Sequence, residues 1–152
     1  MTDTTDPGSR TSASAQGLQR IIISVDAMGG DRGPAAVVAG LSKSARKNKH
    51  IGFILHGNAD ELNPLVEKRP ELRGICEVRH ADDVVTMDDK PAQILRTGKN
   101  TSMWSAIDCV KNGEAEVIVS SGNTGALMAL SMVRLRKLPG VSRPAIAVFW
   151  PS

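Results

Sequence analysis

Two glycine-rich segments of this sequence contain residue types that can bind an anion. The first runs from Asp26 to Pro34 and the second from Ser121 to Gly125, and each follows a run of β-branched residues. Glycine lets the backbone come close to a ligand, and unpaired N–H groups at the start of a following helix attract phosphate or another oxyanion. Alternatively, the glycines only form tight turns between a strand and a helix, and composition alone favours neither interpretation.

The candidate site residues lie in these two segments and in a basic segment between them. The first segment contributes Asp26, Gly29, Gly30, Asp31 and Gly33, and the second contributes Gly122, Asn123, Thr124 and Gly125. The basic segment contributes Arg96, Lys99 and the nearby Ser102.

Each candidate has a functional and a structural interpretation. Asn123 and Thr124 are the best candidates for side-chain contacts with phosphate or a carbonyl, although an asparagine here serves equally well to support the turn. Asp26 and Asp31 could orient neighbouring cations or a general acid or base, and a capping role is favoured for Asp31. The basic segment could bind an anion, but such residues more often form a solvated face.

Other patterns exclude several classes of ligand. The spacings GxGxxG and GxxxxGK[ST] are absent, which argues against a dinucleotide and against ATP. Cys76 and Cys109 are far apart and lack the CxxC spacing of a zinc or redox site, so no metal is expected. The net charge is only +3 and no block of five like charges occurs, so nucleic acid is not an expected partner.

Alternating strands and helices must position these segments. Strands are predicted at 21–25, 51–55, 75–79, 116–120 and 145–149. Helices are predicted from about Pro34, from about Ala59, from Pro91, over 101–112 and over 126–136, the last apolar enough to be well buried. This order predicts an α/β fold with a mainly parallel sheet and helices on both faces, in which ligands bind at the carboxyl ends of the strands.

Residues 1–20 differ in composition from the rest of the chain. They are rich in Thr, Ser, Asp and Gly with a single Leu, which offers too little apolar surface to offset the entropy of ordering. We expect a disordered tail followed by one domain over 21–152. The first twenty residues lack the apolar stretch of a secretory signal, which predicts a cytoplasmic protein.

Three ordered strings in the sequence resemble the motifs of a known family. They run from Asp26 to Asp31, from Met87 to Ala92 and from Ser121 to Ala129. Together they closely resemble the bacterial phosphate acyltransferases of phospholipid synthesis, in order and in separation. The resemblance covers residues 21–152 and corresponds to the N-terminal portion of that family's domain.

The resemblance implies a fold and an activity. The fold would be part of a three-layer sandwich like that of the isocitrate and isopropylmalate dehydrogenases, in a cytoplasmic homodimer that allows peripheral membrane association. The reaction would transfer a fatty acyl group from acyl-acyl carrier protein to inorganic phosphate, without a metal or organic cofactor. Asn123 and Thr124 would be catalytic, and the other candidate residues would bind phosphate, substrate or the carrier.

Two alternatives stay open at this point. A short-chain phosphotransacetylase would use the same phosphate loops, because loops that bind phosphate do not record the length of the acyl chain. The chain could also be an inactive, truncated product that retains only a dimerisation or carrier-binding surface. In either case the role of His56, which follows the second predicted strand, is unassigned.

The composition of the N-terminal tail leads to a first prediction. Deleting residues 2–19 is expected to leave the thermal unfolding midpoint unchanged, because this stretch offers no residues to a core. The measurement is a thermal melt of the full and shortened chains in the same buffer. A clearly lower midpoint for the shortened chain would contradict the prediction.

Overall fold

A four-stranded parallel sheet forms the centre of the molecule. The computed structural model describes residues 20–142, 145 and 147. Its strands are Ile21–Asp26 (β1), Ile51–Gly57 (β2), Cys76–His80 (β3) and Val117–Ser120 (β4). They lie in the order β3-β2-β1-β4, and all neighbouring pairs are parallel. The α/β fold class predicted from the sequence is confirmed.

Five α-helices connect or follow these strands. They are Gly33–Lys47 (α1), Ala59–Glu67 (α2), Pro91–Thr97 (α3), Ser102–Lys111 (α4) and Thr124–Arg134 (α5), with short 3₁₀ turns at Pro70–Leu72 and Gly98–Asn100. The helix α4 ends before Gly113, whose φ of +76° is the left-handed conformation that favours glycine at this position. No helix in the described part is both long and apolar enough to cross a bilayer.

Two predicted segments lie mostly outside the described residues. One is the strand expected over 145–149, and the other is the tail that precedes Arg20.

One face of the sheet carries a conventional apolar core. Successive side chains of a strand point to opposite faces, and Val25, Phe53 and Leu55 share the face covered by α1 and α2. Val38 of α1 and Leu62 of α2 are fully buried against them. Full burial of one such side chain stabilises the fold by about 1.5–3 kcal/mol.

The other face holds a buried polar network that joins the sheet to α4. The hydroxyl of Ser24 donates to the carbonyl of Ala106 at 2.9 Å, so it must accept from Nε2 of His56, which lies 2.9 Å away. The unprotonated Nδ1 of His56 then accepts from the hydroxyl of Ser105 at 2.8 Å. His56 is fully buried, and this burial, together with the nearby Arg79, lowers its pKa to about 4.

The expectation that α5 is well buried is wrong for much of its length. Ala126 and Leu130 are fully buried, whereas Met132, Val133 and Leu135 are exposed. The reason is that α5 packs against α3 and α4, and the strand before it, β4, is at the edge of the described sheet. One stripe of the helix therefore faces the core, and on another side Met128 and Met132 line an open pocket together with Leu138.

The network around His56 predicts a specific dependence of stability on pH. The pKa of His56 is about 4 in the folded protein and about 6.5 in the unfolded chain. Between these values His56 binds more protons in the unfolded chain than in the folded protein. The stability that depends on neutral His56 is therefore complete above pH 6.5 and falls as the pH is lowered. The expected loss in the free energy of unfolding from pH 8 to pH 5 is about 2 kcal/mol.

Urea unfolding at a series of pH values measures this loss. His56→Gln should flatten the slope between pH 5 and pH 7, whereas His50→Gln, which changes an exposed histidine, should keep it. Glu71 and Glu114 also have lowered pKa values, but they act mainly below about pH 4.5. An unchanged slope in His56→Gln would rule out His56 as the source.

Candidate functional site

The two glycine loops meet at the carboxyl edge of the sheet. Their strands, β1 and β4, are neighbours, and Asp26 pairs with Ser120 where both strands end. A Cβ atom on Gly122 would lie 3.0 Å from the Cα of Gly29 and 3.1 Å from its carbonyl oxygen. Neither glycine has a positive φ. Contact between the two backbones, rather than an unusual φ, is therefore what requires glycine here.

Asp26 lies buried between the loops, with only 1% of its surface exposed. Its Oδ1 accepts hydrogen bonds from the hydroxyl of Ser102 at 2.7 Å and from the backbone N–H of Met28 at 3.3 Å. Its Oδ2 accepts from the hydroxyl of Ser120 at 2.8 Å. The carboxylate thus holds together β1, β4 and α4, and it lies beneath the loop surface rather than on it.

The side chain of Asn123 is fully engaged within the protein. Its Oδ1 accepts from the backbone N–H of Ala126 at 3.0 Å and so caps α5. Its Nδ2 donates to the carbonyls of Thr86, Met87 and Asp89 at 2.9–3.3 Å. Asn123 therefore fixes the segment before α3. The catalytic role expected for Asn123 stays a prediction, and it requires one of these bonds to open.

The backbone around Asn123 offers a different set of donors. Thr124 and Gly125 form the exposed first turn of α5. Asn123 caps the helix through the N–H of Ala126. Among the described residues, no hydrogen bond uses the N–H groups of Thr124 and Gly125. These groups are available to an oxyanion.

A pocket of about 420 Å³ opens beside the first loop. It is lined by Gly30, Asp31, Arg32, Gly33, Ala36, Val37 and Ser121. The pocket thus combines the N-terminus of α1 with one cation and one hydroxyl. Sequence reasoning missed Arg32 and Ser121 as site residues. The position of Arg32 inside the glycine loop, just before the helix, is a signal that could have found it.

The capping role expected for Asp31 is wrong. The N-cap position of α1 is Arg32, and no side chain makes a capping hydrogen bond there. The turn closes instead through its own backbone, because the N–H of Gly33 donates to the carbonyl of Gly30 at 3.0 Å. Pro34 occupies the first turn of α1, as predicted. Asp31 remains exposed at the pocket.

The basic segment does not form a single cluster. Arg96 and Lys99 are exposed, and neither forms an ion pair with a described residue. A second pocket of about 510 Å³ runs along α3 between Lys90 and Arg96. Ser102 instead points inward to Asp26. Among the described residues, no three His, Cys, Asp or Glu side chains are grouped to hold a metal ion.

Comparison with known proteins places the chain in a family. Residues 21–152 match the family described as "Fatty acid synthesis protein". The chain belongs to the fatty acid synthesis protein family.

Curated proteins named phosphate acyltransferase are similar to the chain over most of its length. It is 66% identical over 142 residues to a phosphate acyltransferase of Ruegeria sp. (strain TM1040) and 64% identical over 151 residues to one of Dinoroseobacter shibae. These matches cover 93% and 97% of this chain but 38% and 39% of the relatives. The resemblance to phosphate acyltransferases found in the sequence motifs is confirmed, and the chain spans less than two fifths of the length of these relatives.

The contact between the glycine loops predicts an effect of one added methyl group. Gly122→Ala is expected to lower the free energy of unfolding by about 1–3 kcal/mol, because its Cβ would push against the main chain of Gly29. Gly40→Ala is the matched control, since a Cβ at this position in α1 meets no atom within 4 Å. It should be neutral or stabilise the helix by up to about 1 kcal/mol.

Urea unfolding of both variants beside the unsubstituted chain measures the difference. If Gly122→Ala unfolded at the same urea concentration as Gly40→Ala, the two loops would not be in contact.

Proposed function

We propose that the protein transfers a fatty acyl group from acyl-acyl carrier protein to inorganic phosphate. An oxygen of phosphate forms a bond to the thioester carbonyl carbon, the C–S bond breaks, and the carrier thiolate leaves and takes up a proton. The products are an acyl phosphate and the free carrier. The observation that carries this proposal is the pocket beside the first glycine loop, in a chain similar to proteins named phosphate acyltransferases.

Phosphate would bind in that pocket. The N-terminus of α1 presents the positive end of the helix dipole, and no side chain makes a capping hydrogen bond there. Arg32 supplies a full positive charge, and Ser121 supplies a hydroxyl donor from the second loop. Asp31 opposes the binding of an anion, but its exposed carboxylate is placed to take a proton from phosphate as the phosphate attacks.

The oxyanion that forms at the carbonyl needs donors of its own. The first turn of α5 supplies them, through the N–H groups of Thr124 and Gly125. The N–H of Gly122 is not available, because it donates to the hydroxyl of Ser120 at 3.1 Å. Donors fixed in this way stabilise a tetrahedral intermediate without reorganisation, and the loss of one such donor typically costs about 10²-fold in rate.

The carrier would dock on the basic side of α3. Lys90, Arg96 and Lys99 are exposed there without acidic partners among the described residues, so they can attract an acidic carrier protein. The homodimer, the cytoplasmic location and the peripheral membrane association remain predictions from the family resemblance.

The phosphate pocket can be tested through Arg32 in a full-length fusion. In this fusion, residues 1–152 replace the matching N-terminal part of the Ruegeria relative. Arg32→Ala is expected to raise KM for phosphate by at least about tenfold, because it removes the cation of the pocket. Lys43→Ala, which removes a charge from the exposed side of the same helix, should leave KM unchanged.

The assay measures acyl phosphate formed from carriers loaded with long and short acyl chains. A fusion that makes no acyl phosphate, while the Ruegeria protein does, would contradict the proposed function of this chain. Preference for short chains would favour a phosphotransacetylase instead. An equal KM for phosphate in the Arg32 and Lys43 variants would show that the pocket does not bind phosphate.

A further inference from the structure

We propose that Asp26 is a positioning residue that sets the separation of the two glycine loops without touching phosphate. This inference rests on the proposed function. By holding Ser120, Asp26 would fix the position of the phosphate pocket relative to the N–H groups of Thr124 and Gly125 in α5.

The hydrogen bonds of Asp26 form a continuous chain into the second loop. Its Oδ2 accepts from the hydroxyl of Ser120 at 2.8 Å, and the oxygen of that hydroxyl accepts from the backbone N–H of Gly122 at 3.1 Å. Its Oδ1 accepts from Ser102 at 2.7 Å, which ties the same carboxylate to the first residue of α4. The second loop is therefore held to the end of β1 by side-chain bonds as well as by strand pairing.

Ser121, whose two neighbours take part in these bonds, lines the pocket. Ser121 lies between Ser120 and Gly122, so both of its neighbours are fixed by the chain from Asp26. The side chain of Ser121 lies so close over Gly30 that a Cβ there would overlap with its hydroxyl. A shift of the second loop therefore changes the shape of the pocket directly.

A charged residue at position 26 is better explained by a role in orienting the loops than by a contribution to the stability of the fold. The ion pairs of the described residues do not include Asp26, and its donors are two hydroxyls and one backbone N–H. A buried carboxylate loses its hydration, and a well-packed apolar group of the same size often stabilises a fold as well or better. What the carboxylate adds is a fixed geometry for three donors from three parts of the chain.

The test removes single bonds from this chain in the full-length fusion. Ser120→Ala and Asp26→Asn are expected to raise KM for phosphate by about tenfold or more, because a shift of about 1 Å in a binding group has effects of this size. KM for the acyl carrier should stay within about twofold, since α3 does not share these bonds. Ser120→Thr keeps the hydroxyl and should restore the KM for phosphate.

The control separates positioning from general destabilisation. Asp108→Asn weakens another side-chain cluster, in which Asp108 accepts from Trp104 at 2.9 Å and from Arg134 at 2.8 Å. It should lower the thermal midpoint and leave both KM values unchanged. The dissociation constant of inorganic phosphate, measured by calorimetry on the same proteins, should follow the KM for phosphate.

The outcomes distinguish this proposal from the proposed function. An active fusion in which Ser120→Ala and Asp26→Asn keep their KM for phosphate would overturn the positioning role, and so would an equal rise in Asp108→Asn. If the fusion is inactive but binds phosphate, the function fails and the dissociation constants alone decide the role of Asp26. A fusion that neither reacts nor binds phosphate overturns both.

Discussion

The parallel pairing of β1 with β4 is the constraint on which the candidate site depends. Because these strands end at the same level, the loops that follow them leave the sheet side by side, and the backbones of Gly29 and Gly122 come into contact. The loops that lead into α1 and α5 are therefore in contact. A wider separation of the strands would leave two unrelated turns, each with its own helix N-terminus.

The two faces of the sheet serve this arrangement in different ways. The face under α1 and α2 is apolar and tolerates small adjustments, because dispersion and burial have little directionality. The face under α4 is fixed by directional bonds from Ser24 and His56 to the backbone and side chains of the helix. Since α4 begins with Ser102, this fixed helix brings its first hydroxyl to Asp26. The buried His56, which is also the strand neighbour of Asp26, thus helps to hold α4 against the end of β1.

Much of the fold followed from local patterns in the sequence, and much of the site did not. The four described strands, Pro34 in the first turn of α1 and the end of α4 before Gly113 follow from periodicity and from proline and glycine geometry. The partners of Asp26 lie 76 and 94 residues away, and they depend on β4 lying next to β1 rather than next to β3. Local patterns also failed at Asp31 and at α5. A backbone hydrogen bond from Gly33 to Gly30 closes the turn in place of a cap by Asp31. The burial of α5 depends on its packing against α3 and α4.

The balance of charge at the loops shows what Arg32 would contribute to the proposed phosphate pocket. Each helix N-terminus carries roughly half a positive charge, so α1 and α5 together nearly offset the single negative charge of Asp26 beneath them. Asp31 adds a further negative charge at the rim of the pocket. Arg32 offsets Asp31 and brings this sum to about zero, whereas without Arg32 the sum is about −1, which would repel phosphate. In the proposed function the N–H donors at the start of α5 would attract an oxyanion, and Arg32 would remove the repulsion by Asp31 that opposes phosphate.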